Sequence, residues 1–411
     1  MRFRCRSVLL LVSLFLVACG PGAEAPDGRE LYLAYGCAAC HGVNGDANGP
    51  AAALAHFPPR DLRYLDTFSG ARTAEGIAAT IAFGIADGRT GMPAYPDIPK
   101  RERMAIADYI LAMKPPPRAL TVERAWAGES NPAWNIAAAY LEVMNGTDAP
   151  FAIVGVTSPA ARVVEMHETA MTGGVMSMRQ VERIVLEPRR RTRLRPGGSH
   201  LMLIGVHRDL RAGDAVELTL KLHDGTTRNV TARVERAEPS SPKAPPAAAA
   251  PVTRASTHDL TLVDEQNRPF RFASLRGKPA LLFFGYTHCP DACPITLSKI
   301  ARAYREAGAD ARAIPTLFVS VDPRDTPAVL ERYLDYFAGV PAKGLTGSRE
   351  QIDSVVKRLG AKYEIRNDGS AAGALVDHTL NIYLLDANGI VTRSFTPSDE
   401  ASEIAKALRG R

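Results

Sequence analysis

Proline decides how this 411-residue chain can fold, because two proline-rich seams cut it into pieces that must each bury a core. Proline interrupts helices and central strands alike. Lys114-Pro115-Pro116-Pro117 closes the first piece. Residues 238–251, with Pro-Ser-Ser-Pro-Lys-Ala-Pro-Pro and then alanines, close the second. Such stretches read as linkers. The seams predict three folded units, at 27–115, 118–236 and 254–411, with a Pro/Ala linker at 237–253. No internal repeat relates them.

Ahead of the first unit, Arg2, Arg4 and Arg6 precede an apolar run at 7–17. A stable membrane span takes ~20 apolar residues, so this run reads as a secretory signal. Leu16-Val17-Ala18-Cys19 resembles the bacterial lipobox, which implies a signal peptide at 1–18, lipidation of Cys19 and a tether at 19–26. The expectation is a lipoprotein anchored to the membrane and facing the periplasm. The formal charge of +6 falls to +3 without the three signal arginines, too mild for a nucleic-acid partner.

Of the six cysteines, Cys5 and Cys19 belong to the signal segment, and the other four form two pairs. Cys37-Ala38-Ala39-Cys40-His41 is the attachment pattern of c-type haem. Two thiols add to the vinyl groups and the adjacent histidine meets the iron. Met92, in Gly-Met-Pro-Ala-Tyr, is the candidate second axial ligand, since a thioether stabilises Fe(II). Met104 and Met113 fall on a helical pattern with Ile106, Tyr109 and Ile110 and read as core. His56 competes as a ligand, although Pro58-Pro59 beside it suggests a surface turn. The unit resembles a class I mono-haem cytochrome c, which implies an all-α fold and haem c.

The second unit has no cysteine but carries His167, Met178, His200 and Met202. On a strand, i and i+2 point the same way, so His200 and Met202 share a face and Met166 turns away from His167. Alternation at 140–144 and 216–222 and the Asp224-Gly225 turn signal predict an all-β sandwich or small barrel. The spacing, with Glu-Met-His-Glu at 165–168 and His-Leu-Met-Leu-Ile-Gly at 200–205, resembles the PCuAC family of periplasmic copper chaperones. That resemblance implies a cupredoxin-like fold and a Cu(I) site of His167, Met178, His200 and Met202. Met166, Met171 and Met176 are further thioethers nearby. Imidazole and thioether suit soft Cu(I).

In the third unit an apolar run at 281–286 precedes Cys289-Pro-Asp-Ala-Cys293, and Pro294 suits a first helical turn. A thiol at a helix start has a larger thiolate fraction. Strands at 316–321 and 380–385 and helices at 327–337 and 352–359 make the unit α/β. Tyr-Thr-His-Cys-Pro-Asp-Ala-Cys-Pro at 286–294, Val-Asp-Pro-Arg-Asp-Thr-Pro at 321–327 and Val-Asp-His-Thr at 376–379 resemble the Sco/SenC family. The resemblance implies a thioredoxin-like fold with copper held by Cys289, Cys293 and His378, and Asp377 orienting His378. His288 reads as neighbourhood. Together the three units imply copper delivery to the copper-bearing subunit of a cytochrome c oxidase, with haem for electron transfer. The alternatives are a thiol–disulfide oxidoreductase using Cys289 and Cys293 as a redox dithiol, or an electron carrier to the oxidase.

Overall fold

A computed structural model describes residues 26–52, 59–65, 68, 72–85, 91–115, 119–131, 133–236 and 255–410. Cys5, Cys19, His56 and the linker 237–253 lie outside the described residues. The chain forms two compact units: residues up to Gly49 with Leu62–Lys114, and chiefly Pro115–Arg411.

The first unit holds helices α1 (Gly28–Ala34), α2 (Cys37–His41), α3 (Ala74–Phe83) and α4 (Lys100–Leu111), with no strand among its described residues. Asp27 caps α1 by accepting from the N–H of Arg29 at 2.7 Å. Thr73 caps α3 in the same way, through Gly76 N at 3.1 Å. Gly28 lets α1 press onto α4, since a Cβ there would fall 2.0 Å from the Ala105 carbonyl oxygen. The core is Tyr32, Ile77, Ile81, Ile106 and Ile110; Cys37, Met92, Met104 and Met113 pack at its edge.

The second unit opens with β1 (Leu120–Gly128), β2 (Ile136–Asn145), β3 (Phe151–Thr157), β4 (Ala161–Thr172), β5 (Val175–Gln180) and β6 (Ile184–Leu186). β7 (Arg190–Leu194), β8 (His200–Val206), β9 (Ala215–Leu222) and β10 (Thr227–Glu235) complete this all-β segment. Alternate residues of β9 are buried, as a strand with one face on a core requires.

Beyond the linker come β11 (Thr261–Asp264), β12 (Pro269–Arg271), β13 (Ala280–Gly285), α5 (Ala292–Ala307), β14 (Thr316–Ser320) and α6 (Pro327–Asp335). β15 (Ala342–Thr346), α7 (Arg349–Arg358), β16 (Tyr363–Arg366), β17 (Leu375–Thr379), β18 (Ile382–Leu385), β19 (Val391–Phe395) and α8 (Ala401–Arg409) follow. A seven-stranded sheet runs β12-β11-β15-β14-β13-β18-β19. β13, β14 and β15 are parallel neighbours, which needs the α5 and α6 crossovers. All six residues of β13 are buried. Leu281 and Phe283 join one core with α5 and α8, while Leu282 and Phe284 join another with α7. Helix α7 starts earlier than its apolar pattern suggests because Ser348 and Gln351 form a capping box.

The two sequence segments do not close their sheets separately. β16 and β17 join the sheet of the all-β segment, in the order β16-β17-β5-β4-β8-β2-β1-β10-β9-β3-β6, with β7 on β2. β5 of one segment pairs antiparallel with β17 of the other. Met176 of β5 is thereby buried in the core that holds Cys289 and Cys293. Unpaired strand edges are prone to being completed by another strand, and here the second edge comes from the same chain.

Gly285 ends β13 beneath the dithiol: a Cβ there would sit 2.5 Å from Phe318 Cε2 and 2.9 Å from Cys293 Sγ. Gly285→Ala is expected to lose about 1–3 kcal/mol in denaturant titration. Gly339→Ala, whose Cβ would meet Ala301 only at 3.7 Å, should stay within about 1 kcal/mol of the parent. Equal stability of the two variants would contradict this packing.

Candidate functional site

Strand register assembles the His/Met group. His167 of β4 lies opposite His200 of β8, and Glu165 lies opposite Met202. Thr169 of β4 lies opposite Met178 of β5. Side chains directly opposite one another share a face, and so do positions two apart. His167, Met178, His200 and Met202 therefore project from one face, each no more than 1% exposed. The His167 and His200 ring centroids are 5.7 Å apart. Met166 turns to the opposite side, into the β core with Leu141 and Leu201.

Hydrogen bonds fix which nitrogen of each imidazole is free. His167 Nε2 donates to Glu165 Oε2 at 2.9 Å, which leaves the lone pair on Nδ1. His200 Nδ1 donates to the Gly198 carbonyl at 3.0 Å, which leaves the lone pair on Nε2. Neither of these buried nitrogens, His167 Nδ1 or His200 Nε2, has a hydrogen-bond partner among the described residues. Burial pulls His167 below its ordinary pKa, against the opposing pull of Glu165. Burial also works against the charge of Glu165, yet the Ala371 N–H, the Ser370 hydroxyl and His167 together hold its carboxyl below the usual range.

The dithiol sits where β13 gives way to α5. Cys293 is the second residue of α5, and Cys289 lies in the turn before it. Both sulfurs are buried and unbridged. Cys293 Sγ lies 4.0 Å from His378 Nε2. His378 Nδ1 donates to the Thr379 carbonyl at 3.1 Å, so Nε2 keeps its lone pair toward the sulfur. Burial drives His378 down to about 4, which keeps it neutral. The hydrogen bond from Cys293 holds Cys289 below its ordinary pKa, and burial pushes Cys293 well above. Asp377, expected to orient His378, instead meets Arg366 Nε at 3.2 Å. Adjacent strand residues point to opposite faces, and the backbone takes the orienting role.

The two groups meet in one buried seam. Asp291, between the cysteines, accepts from Gly197 N at 2.8 Å and Tyr140 O–H at 3.1 Å, both from the all-β segment. In return Glu165 accepts from Ser370 Oγ and Ala371 N, each at 2.7 Å. Arg366 Nη2 donates to the Met178 carbonyl at 2.7 Å. Trp134 stacks on His288 at 3.5 Å, and its Nε1 donates to Thr287 Oγ1 at 2.6 Å. Sequence reasoning missed Asp291, Trp134 and Ser370, which bear no ligand signature. Glu165 was missed as well, although its place two residues before His167 on a strand puts it on that face.

In the first unit, Cys37 and Cys40 lie three apart on α2, so both thiols face one side, with His41 closing the helix. Cys37 and Met92 pack against the same apolar core. Two unbridged thiols beside an apolar surface, an adjacent imidazole and a thioether fit a covalently held haem.

Residues 249–411 match the SCO1/SenC family model, residues 120–234 the LpqE-like lipoprotein model, and residues 23–110 the model described as cytochrome c oxidase, cbb3-type, subunit III. The mitochondrial SCO2 homolog of Bos taurus is 37% identical over 154 residues, 37% of this chain. The match covers 58% of the bovine protein, less than two thirds of its length. The SCO2-like protein of Rickettsia felis is 34% identical over 154 residues, covering 37% of this chain and 75% of that protein. The solved structure of Bradyrhizobium japonicum ScoI with copper bound is 36% identical and covers 38% of this chain and 99% of its own, with a TM-score of 0.35. The chain is a fusion of a cytochrome c segment, a PCuAC-type segment and a Sco segment, and it belongs to the SCO1/SenC family.

Proposed function

We propose that this protein carries Cu(I) as cargo between two donor sets and delivers it to the dinuclear copper centre of a haem–copper oxidase. The observation that carries the reading is the state of the imidazoles. His167, His200 and His378 are each fully buried, each tied through one nitrogen, and each left with a lone pair on the other. Imidazoles held in this way are typical of metal ligands. Met178 and Met202 supply thioethers at one end, and Cys289 and Cys293 supply thiols at the other. Imidazole, thioether and thiolate favour Cu(I) over harder divalent ions.

Residues Cys37, Cys40, His41 and Met92 would hold haem c, which supplies one-electron transfer when bound. That matches the single electron needed to keep copper as Cu(I). Lipidation at Cys19 would keep the chain at the membrane, facing the periplasm. A second reading is favoured by Cys289, whose thiolate the Cys293 thiol stabilises. Such a pair can also reduce disulfides in the client before copper arrives. Both sulfurs are at most 1% exposed, so either act requires the seam to part.

Anaerobic Cu(I) titration should load two ions per chain. His200→Ala combined with Met178→Ala should leave one, and Cys293→Ala should also leave one. A parent chain that takes up none would end the proposal. His378→Ala should weaken copper at the dithiol at least tenfold while leaving disulfide exchange intact; if exchange fails as well, His378 serves the thiols rather than the metal. The seam itself predicts slow alkylation of Cys289 and Cys293. Trp134→Ala, which removes the stack on His288, should speed it at least tenfold, and an unchanged rate would show that something else shields the sulfurs.

A further inference from the structure

We propose that Met176 is a transfer ligand shared by the two sites, the thioether through which Cu(I) passes from the His/Met group to the dithiol. The inference rests on the copper reading above. Met176 belongs to the all-β segment by sequence, yet it lies opposite His378 in the β5–β17 pairing. Opposite residues share a face, with Cβ atoms about 4.5–5.5 Å apart. Two positions along the same strand is Met178, about 6.6–6.8 Å away on the same face. Met176 is 1% exposed and packs in the cluster that contains Tyr286, Cys289, Cys293 and Val376.

One sheet face thus carries an unbroken series of soft donors. Met202 and His200 stand on β8, His167 on β4, Met178 and Met176 on β5, and His378 on β17, ending at Cys293. Remove Met176 and the series has a gap at the seam. Met171, opposite Met176 on β4, shares the face but is 38% exposed, at the margin of the buried track.

The step is ligand exchange, and copper remains Cu(I) throughout. A Cu–S bond to Met176 forms as the Cu–S bond to Met178 breaks. Bonds to His378 Nε2 and the cysteine sulfurs then form as the remaining bonds to the first group break. Each thiol proton displaced leaves to the buffer. A neutral thioether suits a waypoint, because it binds Cu(I) without trapping it as a thiolate would.

The test uses the full-length protein with haem kept reduced. Its Cys289–Cys293 pair is first oxidised to the disulfide, and one Cu(I) is loaded anaerobically. A phosphine then reopens the disulfide, and growth of the Cu(I)–thiolate ultraviolet absorption reports transfer. With the phosphine kept stoichiometric, quenched and alkylated samples time the disulfide opening, seam parting included, and the transfer rate is the limit that remains once the thiols have appeared. Met176→Leu, close in volume, should lower that limit at least tenfold while the reduced protein still binds two Cu(I). Met171→Leu should leave the limit unchanged. If Met176→Leu unfolds, Met176→Ile repeats the measurement with a side chain suited to strands. An unchanged limit overturns the role of Met176 alone. Loss of one bound copper overturns it too, because Met176 would then be a resident ligand of one site. A parent chain that binds no Cu(I) while the disulfide is closed overturns the copper reading and this inference together.

Discussion

The pairing of β5 with β17 is the constraint on which the arrangement of the second unit rests. It is short, with His378 opposite Met176 and Thr379 opposite Val175. Hydrogen bonds across sheets contribute only about 0.5–1.5 kcal/mol each in net terms, so two residue pairs cannot hold two segments together alone. The Trp134–His288 stack, the Arg366 hydrogen bond to the Met178 carbonyl and reciprocal cages around two acids add to it. Glu165 takes its outside donors from residues 370 and 371, and Asp291 takes both of its own from Gly197 and Tyr140. Each segment thus supplies the acid that the other satisfies. Parting the seam returns both acids to water rather than leaving them buried and unpaired, so it avoids the larger penalty of a stranded charge. The seam is thereby tight when closed, and the opening that the proposed delivery requires strands neither acid.

How far the sequence could reach depended on whether a residue's role was local. The shared face of His200 and Met202 and the helix start at Cys289 and Cys293 were legible from spacing, whereas the full His/Met set and His378 came from the resemblance to PCuAC and Sco/SenC. His200 and Met202 share a face by strand period alone, and Met166 turns away from His167 for the same reason. The meeting of the two groups was not legible. Nothing in residues 175–180 marks an edge strand that will accept a partner some two hundred residues away. The 237–253 linker suggested independent units joined by a tether, since its composition reports flexibility and not docking. Asp377 shows the opposite error: a neighbour in sequence was given a role that strand alternation forbids, and the Thr379 carbonyl performs it.

On the copper reading, the closed seam also gives the cargo a direction. Two neutral imidazoles and two thioethers hold a bound monocation through uncharged donors, with the Glu165 carboxylate standing behind His167. The dithiol differs in carrying negative charge on the donor atom itself. The hydrogen bond from Cys293 holds Cys289 below its ordinary pKa, and a thiolate neutralises the metal's charge. Both groups lie on one face, behind the same barrier to water, so the difference between them is one of charge more than of solvation. On the copper reading, the ion therefore moves from β8 toward β17. Return would require protonating a thiolate that is no longer free. Release to a client then depends on parting the seam, and opening it exposes the dithiol end through the Trp134–His288 stack, where the all-β segment covers the turn that carries Cys289.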